Sequence, residues 1–347
     1  MSRYDPFMRG RFPVGVRTVQ AFDAARNTCF PCEIWYPAAV SLAGLDIAPE
    51  IQDVFTRPLY ATPQSQTAIR DAAAESGTRP LVVFSHHSGG HRRSATFLAT
   101  HLSSHGYVVA ALDHSETVAA SLARKDGETA GQRAARVAAW IANRVPDICF
   151  LLDHLLRSEA KLDPARIGIV GHSFGGWTAL AAPDIDTRIG AVVALAPGGS
   201  ARPKPGILPL ALEFAWGRDV PTLYLVAEND VPLPLAGMYE LFERTPAPRQ
   251  MVILRRADHL HFIDNVEHEH EAMRAMPITG EAAWIPPEML PIEQLCSGDQ
   301  AHLFVSGLTL CHLDANLRQH AEARQFLAAE IAAELALRGI EAIQYRP

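Results

Sequence analysis

The sequence predicts an α/β fold, a mostly parallel, doubly wound sheet with helices on both faces. Three observations carry that expectation. Short, largely apolar segments recur at residues 81–84, 107–112, 189–195, 221–227 and 250–254, and strands of this kind belong to a sheet covered on both sides. Stretches of helical periodicity lie between them at the spacing of strand–helix–strand units. Between two of these units, Arg166-Ile-Gly-Ile-Val-Gly-His-Ser-Phe-Gly-Gly176 reads as a strand, a sharp turn and a helix, the rest of the chain being arranged on either side of it.

In chain order, residues 12–36 begin with two antiparallel strands turned at 23–27 and closed by Pro37. Residues 38–79 are polar and proline-containing with helical hints, a connection long enough to form a functional rim. The strand at 81–84 runs into Ser85-His-His-Ser-Gly-Gly90, then a helix at about 94–105 and the strand at 107–112. Residues 117–143 read as helix with a break near Gly127, and Asn143-Arg-Val-Pro-Asp147 as the start of another with Ile148, Leu151, Leu152 and Leu155 on its apolar face. The helix after the turn stops at Pro183. Residues 263–301 hold Pro277, Pro286, Pro287 and Pro291 and resist assignment. They are expected to form a cap over the site, with Met273, Met276, Trp284 and Met289 either lining it or packing beneath it. A helix at about 313–338, with Phe326, Leu327, Ile331 and Leu335 as its buried stripe and Gly339 as its stop, ends the reading.

Bulk properties bound the function. At 347 residues the chain exceeds what one core usually holds, so a single large domain over residues 1–347 is expected, with insertions at about 38–79 and 263–301. It is 48% hydrophobic and 20% charged, with net charge −7 and pI near 6.1, which gives no footprint for nucleic acid or an anionic membrane surface. No run has the length and apolarity of a signal peptide or a membrane span, so a soluble cytoplasmic protein is expected, monomeric or homodimeric. Five cysteines without a secretory signal point to reduced thiols, and the lone Cys29-Phe-Pro-Cys32 enters a strand, where it is read as structural.

The chemistry centres on Gly171-His-Ser-Phe-Gly175, a G-x-S-x-G pattern. In a strand–turn–helix context it is a nucleophile elbow, whose glycines keep Cβ atoms out of a crowded turn. A serine hydroxyl is a weak nucleophile and needs a base, itself oriented by an acid. In this arrangement the acid and then the histidine follow in chain order, each after a strand. Asp230 ends the segment from Pro221 and is preferred to Glu228, still in the strand, and to Asp184 and Asp186, at the other end of the sheet. His259 is the first histidine after the strand at 250–254 and is preferred to His261, while Asp258 points away. The loop at 85–90 supplies one oxyanion donor, the Ser88 N–H, and Phe174, next after the nucleophile, supplies the other. His87, His172 and His261 are expected on the substrate side.

These residues resemble a known branch. Gly171-His-Ser-Phe-Gly-Gly176, Phe84-Ser-His, His259 with Phe262, Pro13-Val-Gly-Val-Arg17 and Glu33-Ile-Trp-Tyr-Pro37 are similar to the platelet-activating-factor acetylhydrolase and dienelactone-hydrolase-like α/β-hydrolases, over about residues 11–262. The resemblance implies a Ser–His–Asp esterase that uses no cofactor and acts on a small or medium ester. It departs from the family at three points. His87 replaces a usual Gly. The acetylhydrolase acid follows the strand that here ends Leu195-Ala-Pro197, so the acid is Asp230. Dienelactone hydrolases use Cys where Ser173 stands.

Two other readings compete. His259-x-His261 and His268-x-His270, with His86, His87 and His91, are a possible zinc set; with one of them as the catalytic base, no metal is expected. A non-catalytic binding protein on the same scaffold is the second.

Overall fold

The computed structural model describes residues 4–57, 62–117, 125–159, 161–246 and 248–346. Strands β1 (Val14–Asp23) and β2 (Thr28–Pro37) form the expected antiparallel hairpin. After them come β3 (Asp53–Phe55), β4 (Gln64–Gln66) and β5 (Ile69–Arg70). The parallel centre is β6 (Arg79–Ser85), β7 (Val108–Leu112), β8 (Leu162–His172), β9 (Ile189–Leu195), β10 (Thr222–Ala227) and β11 (Arg249–Leu254). Strand β12 (Ala342–Tyr345) closes one edge, antiparallel to β11. The ten-stranded order is β12-β11-β10-β9-β8-β6-β7-β2-β1-β5, with β3 and β4 paired separately.

Among the described residues the helices are α1 (Thr96–Ser104), α2 (Ala130–Ser158), α3 (Phe174–Ala181), α4 (Leu235–Arg244), α5 (Val266–Ala275), α6 (Ile285–Glu288), α7 (Gly298–Leu317), α8 (Ala321–Ala328) and α9 (Ile331–Ala336). Because side chains alternate along a strand, the sheet divides two cores. Val82 and Phe84 of β6 face α1, α7, α8 and α9, whereas Leu81 and Val83 face α2, α3 and α4. Buried on both sides, the central strands read as unbroken apolar runs.

The structure corrects several expectations. Pro146 does not start a new helix, since α2 runs through it from a capping box at Thr129 and Gln132. An interior proline costs about 3 kcal/mol. Here Trp140, Val145, Ile148, Leu151, Leu152 and Leu155 form one buried stripe across it, and each such side chain contributes roughly 1.5–3 kcal/mol on burial. The helical reading at 118–124 lies outside the described residues. Among the described residues of 38–79 the chain forms short strands and one 3-10 turn in place of helix. At 263–301 the chain forms α5, α6 and the start of α7. The last helical stretch begins earlier than expected, at Gly298, and is broken into α7, α8 and α9. Gly339, at φ 71°, ends it as expected, and β12 follows unforeseen. Three of its four residues are half-exposed and Ile343 is exposed, with no apolar alternation facing a core, so only pairing with β11 makes them a strand.

Candidate active site

Every group of the site lies beyond the C-terminal ends of β6, β8, β10 and β11, where ligands of open α/β sheets bind. Ser173 stands between β8 and α3 at φ 58° and ψ −114°, a region non-glycine residues rarely occupy. Its N–H donates to Leu195 O at 2.9 Å, and its carbonyl accepts from Gly198 N at 3.0 Å and Trp177 N at 3.0 Å. A Cβ at Gly171 would sit 2.0 Å from Gly175 O, and one at Gly175 1.9 Å from Ser85 O. Both positions therefore need glycine because backbone from a neighbouring element occupies the space.

The three residues picked out as nucleophile, base and acid are brought together. Ser173 Oγ is 2.9 Å from His259 Nε2, and His259 Nδ1 is 2.7 Å from Asp230 Oδ2. Asp230 Oδ1 accepts from Leu233 N at 2.7 Å, so both carboxylate oxygens are held. The Asp230 side chain is 1% exposed and that of His259 is 15% exposed, the imidazole keeping an opening towards solvent. Burial works to lower the His259 pKa, but the Asp230 carboxylate, through charge and hydrogen bond, outweighs it and raises the pKa above its ordinary value. The rivals lie elsewhere: Glu228 pairs with Arg255 at the surface and Asp186 with Arg188.

Phe174 is the first residue of α3, and the N–H of a first helical residue has no carbonyl a turn back to bond. Ser88 lies in the turn after β6, where its carbonyl accepts from His87 Nδ1 at 2.9 Å. His87 is half-buried at the same rim, and burial lowers its pKa to about 4. His172 is a correction to the expected substrate side. It is fully buried, its ring 5.4 Å from that of His87 and 4.7 Å from that of His259. It backs the imidazole of residue 259 and cannot reach a ligand in front of it. His261 is a second correction. It too is fully buried, Nδ1 lying 2.9 Å from Asp258 Oδ1 and Nε2 3.1 Å from Cys296 O. His270 of α5 meets the other oxygen of the same carboxylate at 2.5 Å. The two H-x-H pairs are thus divided, His259 facing Ser173 while His261 and His270 share Asp258. Among the described residues no group of three or more His, Cys, Asp or Glu is placed to hold a metal.

Sequence reasoning missed a buried polar cluster beside the site. It comprises Ser85, His86, Glu116, His114, Asp147 and Arg144, all under a tenth exposed. One signal was available: Arg144 falls on the apolar stripe of α2, four residues from both Trp140 and Ile148. Burial drives His86, His91, His114 and His172 well below the usual histidine range, so these rings are neutral.

Comparison with known proteins gives concordant likenesses. Residues 50–215 match the family described as chlorophyllase. Platelet-activating factor acetylhydrolase of Cavia porcellus is 23% identical over 279 residues, 69% of this chain and 62% of that protein. Chlorophyllase-1, chloroplastic, of Citrus unshiu is 26% identical over 174 residues, 46% of this chain and 49% of that one. The chain spans less than two thirds of the length of these curated relatives. Among solved structures, ferulic acid esterase from Streptomyces cinnamoneus has a TM-score of 0.63 at 24% identity, covering 89% of this chain and 92% of that one. With the sheet order and the strand–turn–helix at Ser173, the structural likeness shows that the chain has the α/β-hydrolase fold.

Proposed function

We propose that the protein is a serine carboxylic-ester hydrolase. The observation that carries this reading is the unbroken relay Ser173 Oγ–His259–Asp230, with bonds of 2.9 and 2.7 Å. His259 Nε2 takes the hydroxyl proton as Oγ attacks the ester carbonyl carbon. The Ser88 and Phe174 N–H groups receive the charge that develops on the carbonyl oxygen, worth about 3 kcal/mol for each donor. Collapse of the tetrahedral intermediate breaks the ester C–O bond, and His259 returns the proton to the departing alcohol. Water, deprotonated by the same imidazole, then cleaves the acyl-enzyme and releases the acid. Asp230 holds the tautomer that leaves Nε2 free and stabilises the imidazolium.

Likeness to an acetylhydrolase and to a ferulic acid esterase supports an ester as substrate and differs on the acyl part. A small or medium ester is the class proposed, reached past the segments at 38–79 and 263–301. Lactones, thioesters and amides are the alternatives for the same machinery. Ser173→Ala is expected to abolish turnover of p-nitrophenyl acetate with the thermal midpoint unchanged. Retention of most of the activity would sink the assignment, and an inactive wild type across a panel of short esters would favour a binding role.

A further inference from the structure

Arg144 is fully buried, 0% exposed, in the middle of α2, and a buried guanidinium persists only where its donors are used. Nη1 donates to His86 O at 2.6 Å and to Ser85 Oγ at 3.1 Å. Nη2 reaches His87 O at 3.4 Å and pairs with the buried Glu116 carboxylate. The guanidinium also lies over the Phe174 ring, 4.1 Å from its centroid. Behind it, Ser85 Oγ is 3.1 Å from His114 Nε2, and His114 Nδ1 is 2.7 Å from Asp147 Oδ2. This second Ser–His–Asp array is sealed from solvent, so no substrate reaches it. With His114 neutral, Nδ1–H donates to Asp147 and Ser85 O–H donates to Nε2, which leaves the Ser85 oxygen free to accept from Arg144.

The peptide plane translates these contacts to the site. In a trans peptide the C=O and the following N–H point in opposite directions. Holding the carbonyl of His87 on the Arg144 side therefore aims the Ser88 N–H the other way. The adjoining plane is held through the carbonyl of His86. His86 Nδ1 adds a donor to His87 O at 2.7 Å. A single fork thus grips the backbone that carries one oxyanion donor and the side chain of the residue that carries the other.

We propose that Arg144, braced by Glu116 and by the Ser85–His114–Asp147 array, is a positioning residue that sets the oxyanion hole by clamping the carbonyls of His86 and His87. The proposal rests on the ester-hydrolase reading above and adds to it a residue that touches no substrate. It also accounts for tolerance of His87 at a position where the branch usually has glycine, because the clamp acts on the carbonyl and not on the side chain.

The test assays Arg144→Lys, the double variant Arg144→Met with Glu116→Gln, and Ser173→Ala on p-nitrophenyl acetate. A trifluoromethyl ketone probes the tetrahedral adduct. Lysine keeps a charge opposite Glu116, but a single ammonium does not reproduce the planar fork. The double variant leaves no buried charge unpaired and serves if the lysine variant does not fold. The expected result is a folded protein with kcat lowered about 100-fold, KM within about twofold, and ketone affinity weakened in step with kcat/KM. A folded variant with parental kcat and ketone affinity, or one whose loss is confined to the thermal midpoint, overturns the proposal. Ser173→Ala separates the two ideas. If it is inactive while the Arg144 variants match the parent, only the positioning role falls. If it retains parental turnover, the ester-hydrolase reading falls and takes this proposal with it.

Discussion

Ser173 combines a φ of 58° with a hydrogen bond to an imidazole, and each half makes a prediction. The imidazole must be neutral to accept the proton, so turnover is lost as pH falls through the His259 pKa. Because Asp230 raises that pKa, the acid limb of kcat/KM is expected to lie above the ordinary histidine value of about 6.5. A rate flat between about pH 5 and about pH 9 would contradict it. The backbone half depends on space. Gly175→Ala places a methyl 1.9 Å from Ser85 O and 2.7 Å from His86 O, so β6 and the turn must part. Such overpacking costs roughly 1–3 kcal/mol. Chemical denaturation should show that loss together with a fall in activity, and a variant of wild-type stability would show that the turn has slack.

Among the elements, the turn after β11 is tied to α5 by one carboxylate shared between two rings. Burial alone would lower the His261 pKa, but Asp258 and the Cys296 side chain push it up to about 10. His270 is raised in the same way, burial being outweighed by Asp258. A group whose pKa is higher folded than unfolded stabilises fully below its unfolded value and loses that contribution as pH rises through the folded one. Stability is therefore expected to decline between about pH 6.5 and about pH 10. Asp258→Asn should lower the thermal midpoint at neutral pH and flatten that decline. Parallel pH profiles for the two proteins would show that the clamp contributes nothing. A second tie serves the same region. Asp264 accepts from Thr96 N at 2.9 Å and Phe97 N at 3.1 Å, joining the chain just before α5 to the start of α1.

For the whole molecule, what could be read ahead of the structure followed from burial. Strands β6 to β11 are covered on both faces, so their apolar runs announced them, and the strand–turn–helix at Ser173 announced the elbow. Chain order then singled out Asp230 and His259; the fold brings them within hydrogen-bonding distance of each other, and His259 within that distance of the hydroxyl. The misreadings arose where a local signal was overruled from outside. Pro146 reads as a helix start until its neighbours are seen to pack on one stripe, and β12 has no pattern apart from the strand it joins. His172 and His261 were drawn to the substrate by proximity in sequence, but the tight turns beside them face their rings inward. Arg144 is the instructive omission, because a charge on an apolar stripe signals buried partners whose identity only three dimensions supply.

The crowd of neutral rings at this end of the sheet has a further consequence. His86, His87, His91, His114 and His172 are all made poor bases by burial, while the ring of residue 259 alone among them is made a better one. Of these six rings, His259 is the one seen within hydrogen-bonding distance of Ser173 Oγ, at 2.9 Å, so the hydroxyl faces the better base and not the poorer ones behind it.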